Sequence, residues 1–241
     1  MKFYDEISNY YKYIFPMSGV TLDFLKESFQ NGNTILDVAC GSGEYTIGLS
    51  KEGYKVNGID LDEKMIEKAK EKSRTENELV EFKVGNILNL SKSYNNKFNG
   101  IFCIGNSLVH LDNKDEIEVS LNEMKNLLES NGVLVIQIIN YYKVLNLNLD
   151  GLPTIKNEEK GLEFIRKYVR KDDKILFNTI LKIENNNELS NSVELFPITY
   201  DDLIVSLERI GFKDIELFGG FNKNEFDKDK SMPLVIRCKK A

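Results

Sequence analysis

The sequence predicts an α/β fold, a mostly parallel sheet with helices on both faces and an inserted antiparallel β segment. Three observations carry this. From Thr34 to Ile139 short, nearly all-apolar strands alternate with amphipathic helices, the pattern of strands buried on both faces. From Leu162 to Phe196 the helices stop, and three strands follow one another through short polar turns that force antiparallel neighbours. The chain has 241 residues, 41% hydrophobic and 29% charged, enough to bury a core without staples and unlike collagen, coiled coil or disordered chains.

Taken in order, two helices come first, Tyr4–Ile14 and, after the break at Pro16, Thr21–Phe29. Thr34–Ala39 is a strand, Gly41-Ser42-Gly43 a tight turn, Glu44–Lys51 a helix and Lys55–Ile59 the second strand. Asp62 caps the helix Glu63–Thr75, whose Met65, Ile66 and Ala69 share one face. Val80–Val84 and Phe98–Ile104 are strands. Asp112 opens a helix reaching about Ser130, Asn131-Gly132 ends it, and Val133–Ile139 is the most apolar strand. The inserted strands are Leu162–Arg170, Lys174–Ile183 and Ser190–Phe196, turning at Asp172-Asp173 and Asn185-Asn186-Asn187. Thr199 caps Tyr200–Ile210, Gly211 stops it, and the strands Phe212–Phe218 and Leu234–Lys239 follow. With no repeat and no Pro- or Gly-rich linker, one domain is expected. Its parts are an N-terminal helical lid (1–32), a ligand-binding core (33–140), inserted strands (141–197) and a C-terminal helix with a strand pair (198–241).

Charge and cysteines narrow the function. Lys and Arg number 32 against 38 Asp and Glu, a net charge of −6, without the basic footprint of a nucleic-acid binder. Cys40, Cys103 and Cys238 are far apart, form no C-x-x-C pair and have no His beside them, so no metal site is expected and the thiols read as reduced core residues. Met1 to Glu6 has neither the basic nor the apolar region of a signal peptide, and Val133–Ile139 is too short to span a bilayer. A cytoplasmic protein with no membrane partner is expected.

The chemistry concentrates at Ile35-Leu36-Asp37-Val38-Ala39-Cys40-Gly41-Ser42-Gly43 and at Asp60, which ends the second strand. Glycines there let the backbone approach a ligand in the crevice at the carboxyl end of a strand, and a carboxylate ending the next strand suits two ribose hydroxyls. A dinucleotide would meet these needs as well. However, position 46, where a third glycine would stand, is Thr46, and the acid of Asp37 would repel a pyrophosphate. A ligand with a positive charge near that acid, an amino acid attached to a nucleoside, fits better.

Asp37-x-x-x-Gly41-x-Gly43, with Asp60 and then Leu61-Asp62-x-x-Met65, resembles the cofactor motif of class I S-adenosylmethionine-dependent methyltransferases. The likeness continues through Gly85-Asn86-Ile87, Gly105-Asn106-Ser107-Leu108-Val109-His110-Leu111, Asn131-Gly132 and Ile210-Gly211-Phe212, covering residues 33–140 and, more loosely, 197–241. The Asn-Ser-x-x-His-Leu segment, the Tyr-rich N-terminus and the inserted strands are similar to small-molecule N-methyltransferases of the glycine N-methyltransferase kind. The resemblance implies a Rossmann-like seven-stranded sheet with the last strand antiparallel. It implies S-adenosyl-L-methionine as cofactor, S-adenosyl-L-homocysteine as product, and methyl transfer to a small-molecule acceptor at nitrogen. By the same resemblance Ala39, Gly41 and Gly43 hold the methionine part, and Asp37 orients the turn. Asp60 takes the ribose hydroxyls, Leu61 and Met65 pack near adenine, Asn86 and Ile87 contact it, and Ile104 lies beside the sulfonium. The family has Asp where this chain has Asn86, whose amide oxygen still accepts from an adenine amino group.

Few groups can act as a base. His110, the single histidine, follows the fourth strand on the ligand side of the sheet. Tyr11, among the N-terminal tyrosines Tyr4, Tyr10, Tyr11 and Tyr13 that would cover the pocket, is the second catalytic candidate. Arg166, Tyr168 and Arg170 recur at period two and give one strand a basic face, either solvated or selecting a carboxylate- or phosphate-bearing substrate. No Asn/Asp-Pro-Pro-Tyr motif stands at the fourth strand, which argues against DNA bases as acceptors. Two rival functions remain open: a nicotinamide-dependent reductase and a non-catalytic S-adenosylmethionine-binding protein.

Overall fold

The computed structural model describes residues 10–29, 34–183 and 187–241. Tyr4, the first part of the predicted first helix, and Asn185 and Asn186 of the second inserted turn lie outside the described residues.

A seven-stranded sheet forms the body. Its strands are β1 (Thr34–Val38), β2 (Lys55–Asp60), β3 (Glu81–Val84), β4 (Phe98–Cys103), β5 (Leu128–Ile139), β10 (Phe212–Phe218) and β11 (Pro233–Lys240), in the order β10-β11-β5-β4-β1-β2-β3. All pairs are parallel except the two that β11 makes. Alternate residues serve opposite faces. Leu36, Ile101, Leu134 and Ile136 pack with α6 (Lys114–Leu127) and α8 (Tyr200–Ile210), while Ile35, Phe102 and Val135 pack with α2 (Gly19–Ser28) and α3 (Glu44–Lys51). Both faces are therefore buried, which is why these strands carry apolar runs rather than alternation. The helix α4 (Glu63–Thr75) begins where Asp62 accepts from the N–H groups of Lys64 and Met65, and its Ile66 and Ala69 meet Phe82 of β3.

Four details differ from the sequence reading. The α6 cap is Asn113, which accepts from Glu116 N–H, not Asp112. The helix ends at Leu127, and Asn131 lies inside β5 at φ 59°, beside the register shift between Phe98 and Gly100. The first described helix is short, α1 (Tyr11–Ile14). The insertion has four strands rather than three: β6 (Gly151–Asn157), β7 (Leu162–Lys171), β8 (Lys174–Ile183) and β9 (Asn187–Leu195), all antiparallel, preceded by α7 (Tyr141–Asn146). β6 escaped notice because it holds Pro153, tolerated on an edge strand where no ladder partner needs its N–H. The short α5 (Leu90–Ser93) completes the helices.

The inserted sheet is not detached. Tyr168, Ile175 and Leu195 share one apolar cluster with Leu108, Val109 and Tyr141 of the main body, and Phe196 N–H donates to the Val109 carbonyl at 2.8 Å. α1 packs on the sheet's other end, Phe15 meeting Phe164 edge-on at 5.7 Å, with Ile14 beside Leu162 and Leu181.

Candidate active site

The parallel register sets the site. Asp37 pairs with Phe102 and with Gly58, so two residues further on Ala39, Asp60 and Ile104 stand level at the carboxyl edge of β1, β2 and β4. Gly85 N–H donates to the Asp60 carbonyl at 2.8 Å and brings Asn86 to the same edge.

The turn after β1 is left-handed at Ala39 (φ 61°), Gly41 (φ 54°) and Gly43 (φ 77°). Gly43 begins α3 and is the position that demands glycine, because a Cβ there would lie 2.7 Å from Phe82 Cζ. Asp60 braces the turn: Oδ2 accepts from Gly41 N–H at 2.8 Å and Oδ1 from Asp62 N–H at 2.9 Å. A carboxylate has about four lone pairs, so acceptor capacity remains for a ligand. Burial pushes the Asp60 pKa up, against the backbone donors that pull it down.

Under the turn lies Asp37, fully buried, its Oδ2 accepting from Thr46 Oγ1 at 2.6 Å. Burial pushes this carboxyl up to about 8, the Thr46 bond opposing the rise. Thr46, noticed in the sequence only as a missing third glycine, is thus the partner of that acid.

On the adenine side expected from the sequence, Leu61 is 68% exposed beside Asp60, an apolar side chain held in the open. Met65 follows on α4, its Cε 3.4 Å from where a Gly41 Cβ would stand. Asn86 caps the turn at Ile87, Oδ1 accepting from Leu88 N–H at 2.9 Å, so one lone pair of that oxygen is already taken.

After β4, Gly105 turns at φ 80° with nothing within 4 Å of a would-be Cβ. Asn106, also left-handed, accepts from Ile139 N–H at 2.9 Å and donates to Tyr141 Oη at 3.0 Å. Tyr141 is fully buried on α7, a placement that depends on a helix with no sequence signal. His110 ends the short 3-10 turn Ser107–His110 at an exposed position, and desolvation lowers its pKa.

His110 and Tyr11 attach to opposite ends of the inserted sheet. The His110 turn is held through Phe196, next to Leu195 and its partner Ile175, whereas α1 packs near Phe164 and Leu181. Six residues of strand separate Ile175 from Leu181, on the order of 20 Å. Arg166 and Arg170 also part company. Arg170, exposed, donates from Nη2 to the Leu145 carbonyl, and Arg166, half-buried, donates from Nη2 to the Pro153 carbonyl. Among the described residues no group of three or more His, Cys, Asp or Glu could hold a metal, and no helix is long and apolar enough to cross a membrane.

Residues 35–132 match the family described as Methyltransferase domain. The chain is 27% identical over 207 residues to a glycine/sarcosine N-methyltransferase of Halorhodospira halochloris, spanning 86% of this chain and 75% of that protein. A second enzyme of that name, from Aphanothece halophytica, is 23% identical over 217 residues, 90% of this chain and 80% of its own. In fold, the chain is similar to the crystal structure of an S-adenosylmethionine-dependent methyltransferase from Clostridium acetobutylicum, with a TM-score of 0.84, 19% identity and 99% of each chain covered.

Proposed function

The chain belongs to the class I S-adenosylmethionine-dependent methyltransferases, and on that premise we propose that it methylates the nitrogen of a small amine. The observation that carries this reading is the level row of Ala39, Asp60 and Ile104 at the carboxyl edge, with Asn86 beside it. The groups present fit the cofactor. Asp60 keeps acceptor capacity for ribose hydroxyls, Leu61 and Met65 offer an apolar wall, and the buried acid of Asp37 favours a cation above the turn. Against a dinucleotide, Thr46 fills the place where helix and strand would pack closely over a third glycine.

When bound, S-adenosylmethionine supplies a methyl group already activated on a sulfonium. The chain's part is then positioning and exclusion of water. In this reading Ala39, Gly41 and Gly43 hold the methionine portion, Ile104 lines the reacting edge, and Asn86 and Ile87 face the adenine. A neutral amine is the competent nucleophile, so the acceptor must lose a proton before attack. His110, with its pKa depressed by desolvation, is neutral imidazole at pH 7 and suits that proton. Tyr11 sits on α1, whose packing against Phe164 supports a covering role. The three free cysteines fit the cytoplasmic setting we assign to it.

Calorimetric titration with S-adenosylmethionine, S-adenosylhomocysteine and nicotinamide dinucleotides tests the reading, followed by an amine panel read as S-adenosylhomocysteine formed. Asp60→Asn keeps one acceptor oxygen and loses the charge, so S-adenosylmethionine affinity falls roughly 10- to 100-fold, the worth of a charged hydrogen bond. Binding of a dinucleotide alone would overturn the methyltransferase reading. Tight cofactor binding with no turnover on any amine would favour a non-catalytic binding protein.

A further inference from the structure

We propose that Lys97, Lys125 and Lys240 form a binding site for a phosphate-class dianion at the amino edge of the main sheet. The site is independent of the methyltransferase reading and lies at the opposite edge from the reacting one. Lys97 stands one residue before β4, Lys125 is in the last turn of α6, and Lys240 ends β11. The strand register brings these three ends together. Phe98, next to Lys97, pairs with Leu128, the first residue of β5 after α6. Lys240 pairs with Phe212, two residues past the end of α8.

Each ammonium reaches one carbonyl in this corner. Lys97 Nζ donates to Asn126, Lys240 Nζ to Leu128 at 2.7 Å, and Lys125 Nζ to Ile210. Asn126 and Leu128 are two residues apart, so their Cα atoms are separated by at most about 7 Å. Lys125 Nζ lies 2.7 Å from where a Gly211 Cβ would stand, so the glycine that ends α8 also leaves room for an ammonium. Lys125 and Lys240 are partly buried, and Lys97 is exposed.

The charges in this corner do not balance. Among the described residues no carboxylate forms an ion pair with any of the three. Lys239, on the other face of β11, does have such a partner, Asp214 at 3.0 Å. Lysines commonly cap helix carbonyls, and that role accounts for Lys97 at the end of α6 and Lys125 at the end of α8. Lys240, carried in by β11, is a third charge that neither helix end requires. Each helix end supplies about half a negative charge, so the two offset roughly one of the three ammonium charges. Burial lowers the Lys240 pKa, Lys97 and Lys125 lower it further, and Glu129 opposes them weakly. The corner thus keeps an excess of positive charge, on ammonium groups that each bond a single carbonyl and retain two donors. A compact oxyanion accepts from all three and neutralises the excess. Six residues separate Phe98 from Ile104, on the order of 20 Å of extended chain, so the dianion touches neither cofactor nor acceptor.

The full chain is titrated at about pH 8, where a phosphate is dianionic, with inorganic phosphate and with glycerol 2-phosphate, at ionic strength matched with chloride. At least one of them binds, and the tighter of the two names the source, free phosphate or a phosphorylated metabolite. Lys97→Gln and Lys240→Gln each weaken binding roughly fivefold, the upper end for one exposed ion pair. Lys125→Arg keeps the charge and the binding. Lys55→Gln removes the same charge from an exposed position at the start of β2 and leaves binding unchanged. Far-ultraviolet dichroism matching the wild type shows that each variant is folded, and should Lys240→Gln fail to fold, Lys97→Gln on its exposed side chain decides. Phosphate also raises Tm more in the wild type than in Lys97→Gln. Absence of binding by both ligands, undiminished binding in the folded glutamine variants, or an equal loss in Lys55→Gln overturns the site and leaves the lysines as helix caps alone.

Discussion

At the scale of single residues the molecule turns on an acid that holds a proton. Asp37 is buried, and its pKa is pushed from 3.8 to about 8, so at pH 7 most of it is neutral and its oxygen accepts from Thr46. A raised folded pKa gives stability that is complete below the unfolded value near 4 and is lost as pH climbs through about 8. The ligand-free protein should therefore lose melting temperature between pH 5 and about 8, and Asp37→Asn should flatten that slope. A cation above the turn favours the ionised acid, so S-adenosylmethionine should release a proton at pH 7 and S-adenosylhomocysteine, without the sulfonium, fewer. Calorimetry in two buffers of different ionisation heat reads the difference, and equal release for both ligands would remove Asp37 as the counter-charge. His110 shifts the other way. Its pKa is lowered by desolvation, so the acidic limb of a kcat/KM profile should fall below the ordinary imidazole value of about 6.5, and His110→Gln should abolish that limb.

At the scale of elements, the turn between β1 and α3 shows what is local in this fold and what is not. Gly43→Ala places a methyl 2.7 Å from Phe82 Cζ at φ 77°, whereas Gly53→Ala is equally left-handed, at φ 90°, but opens onto empty space. Gly53→Ala should cost about 1 kcal/mol for backbone conformation alone, and Gly43→Ala should cost a further 1–3 kcal/mol for overpacking. Urea midpoints measure both, and equal losses would mean that Phe82 yields freely. The glycine turn, the Asp62 cap and the Gly211 stop were legible because each is written in two or three adjacent residues. Asp60 was legible from its place at the end of a strand. Thr46 as partner of Asp37 was not, since it needs α3 laid back across β1. The inserted strands showed Arg166, Tyr168 and Arg170 at period two, but only the register with β8 sets Thr179 opposite Arg166 and leaves Arg170 at the surface. Tyr141 and β6 were hidden for a related reason, because neither α7 nor a Pro-bearing edge strand carries a periodic apolar signal.

At the scale of the whole molecule, the question is whether the inserted sheet melts with the body or apart from it. The contacts favour one unit. Leu195 is fully buried at the end of β9, in the same apolar cluster as Ile136, Val109 and Tyr141, and the adjoining Phe196 N–H donates to Val109. A truncation at Leu195 therefore removes packing from both sheets at once. Leu195→Ala should cost about 2–5 kcal/mol. For a chain of this size each kcal/mol moves Tm by roughly 2–4 °C, so the melting temperature should drop by roughly 4–20 °C. Far-ultraviolet dichroism, which reads helices and sheets together, and tyrosine fluorescence should follow one coincident transition before and after the substitution. The outcome bears on function, because Tyr168 meets Tyr141, whose hydroxyl accepts from Asn106 two residues beyond Ile104, only while the insertion stays docked. An early transition shifted by Leu195→Ala, followed by an unshifted one, would make the insertion a separately melting cover. Acceptor affinity would then fall with temperature well before S-adenosylhomocysteine affinity does.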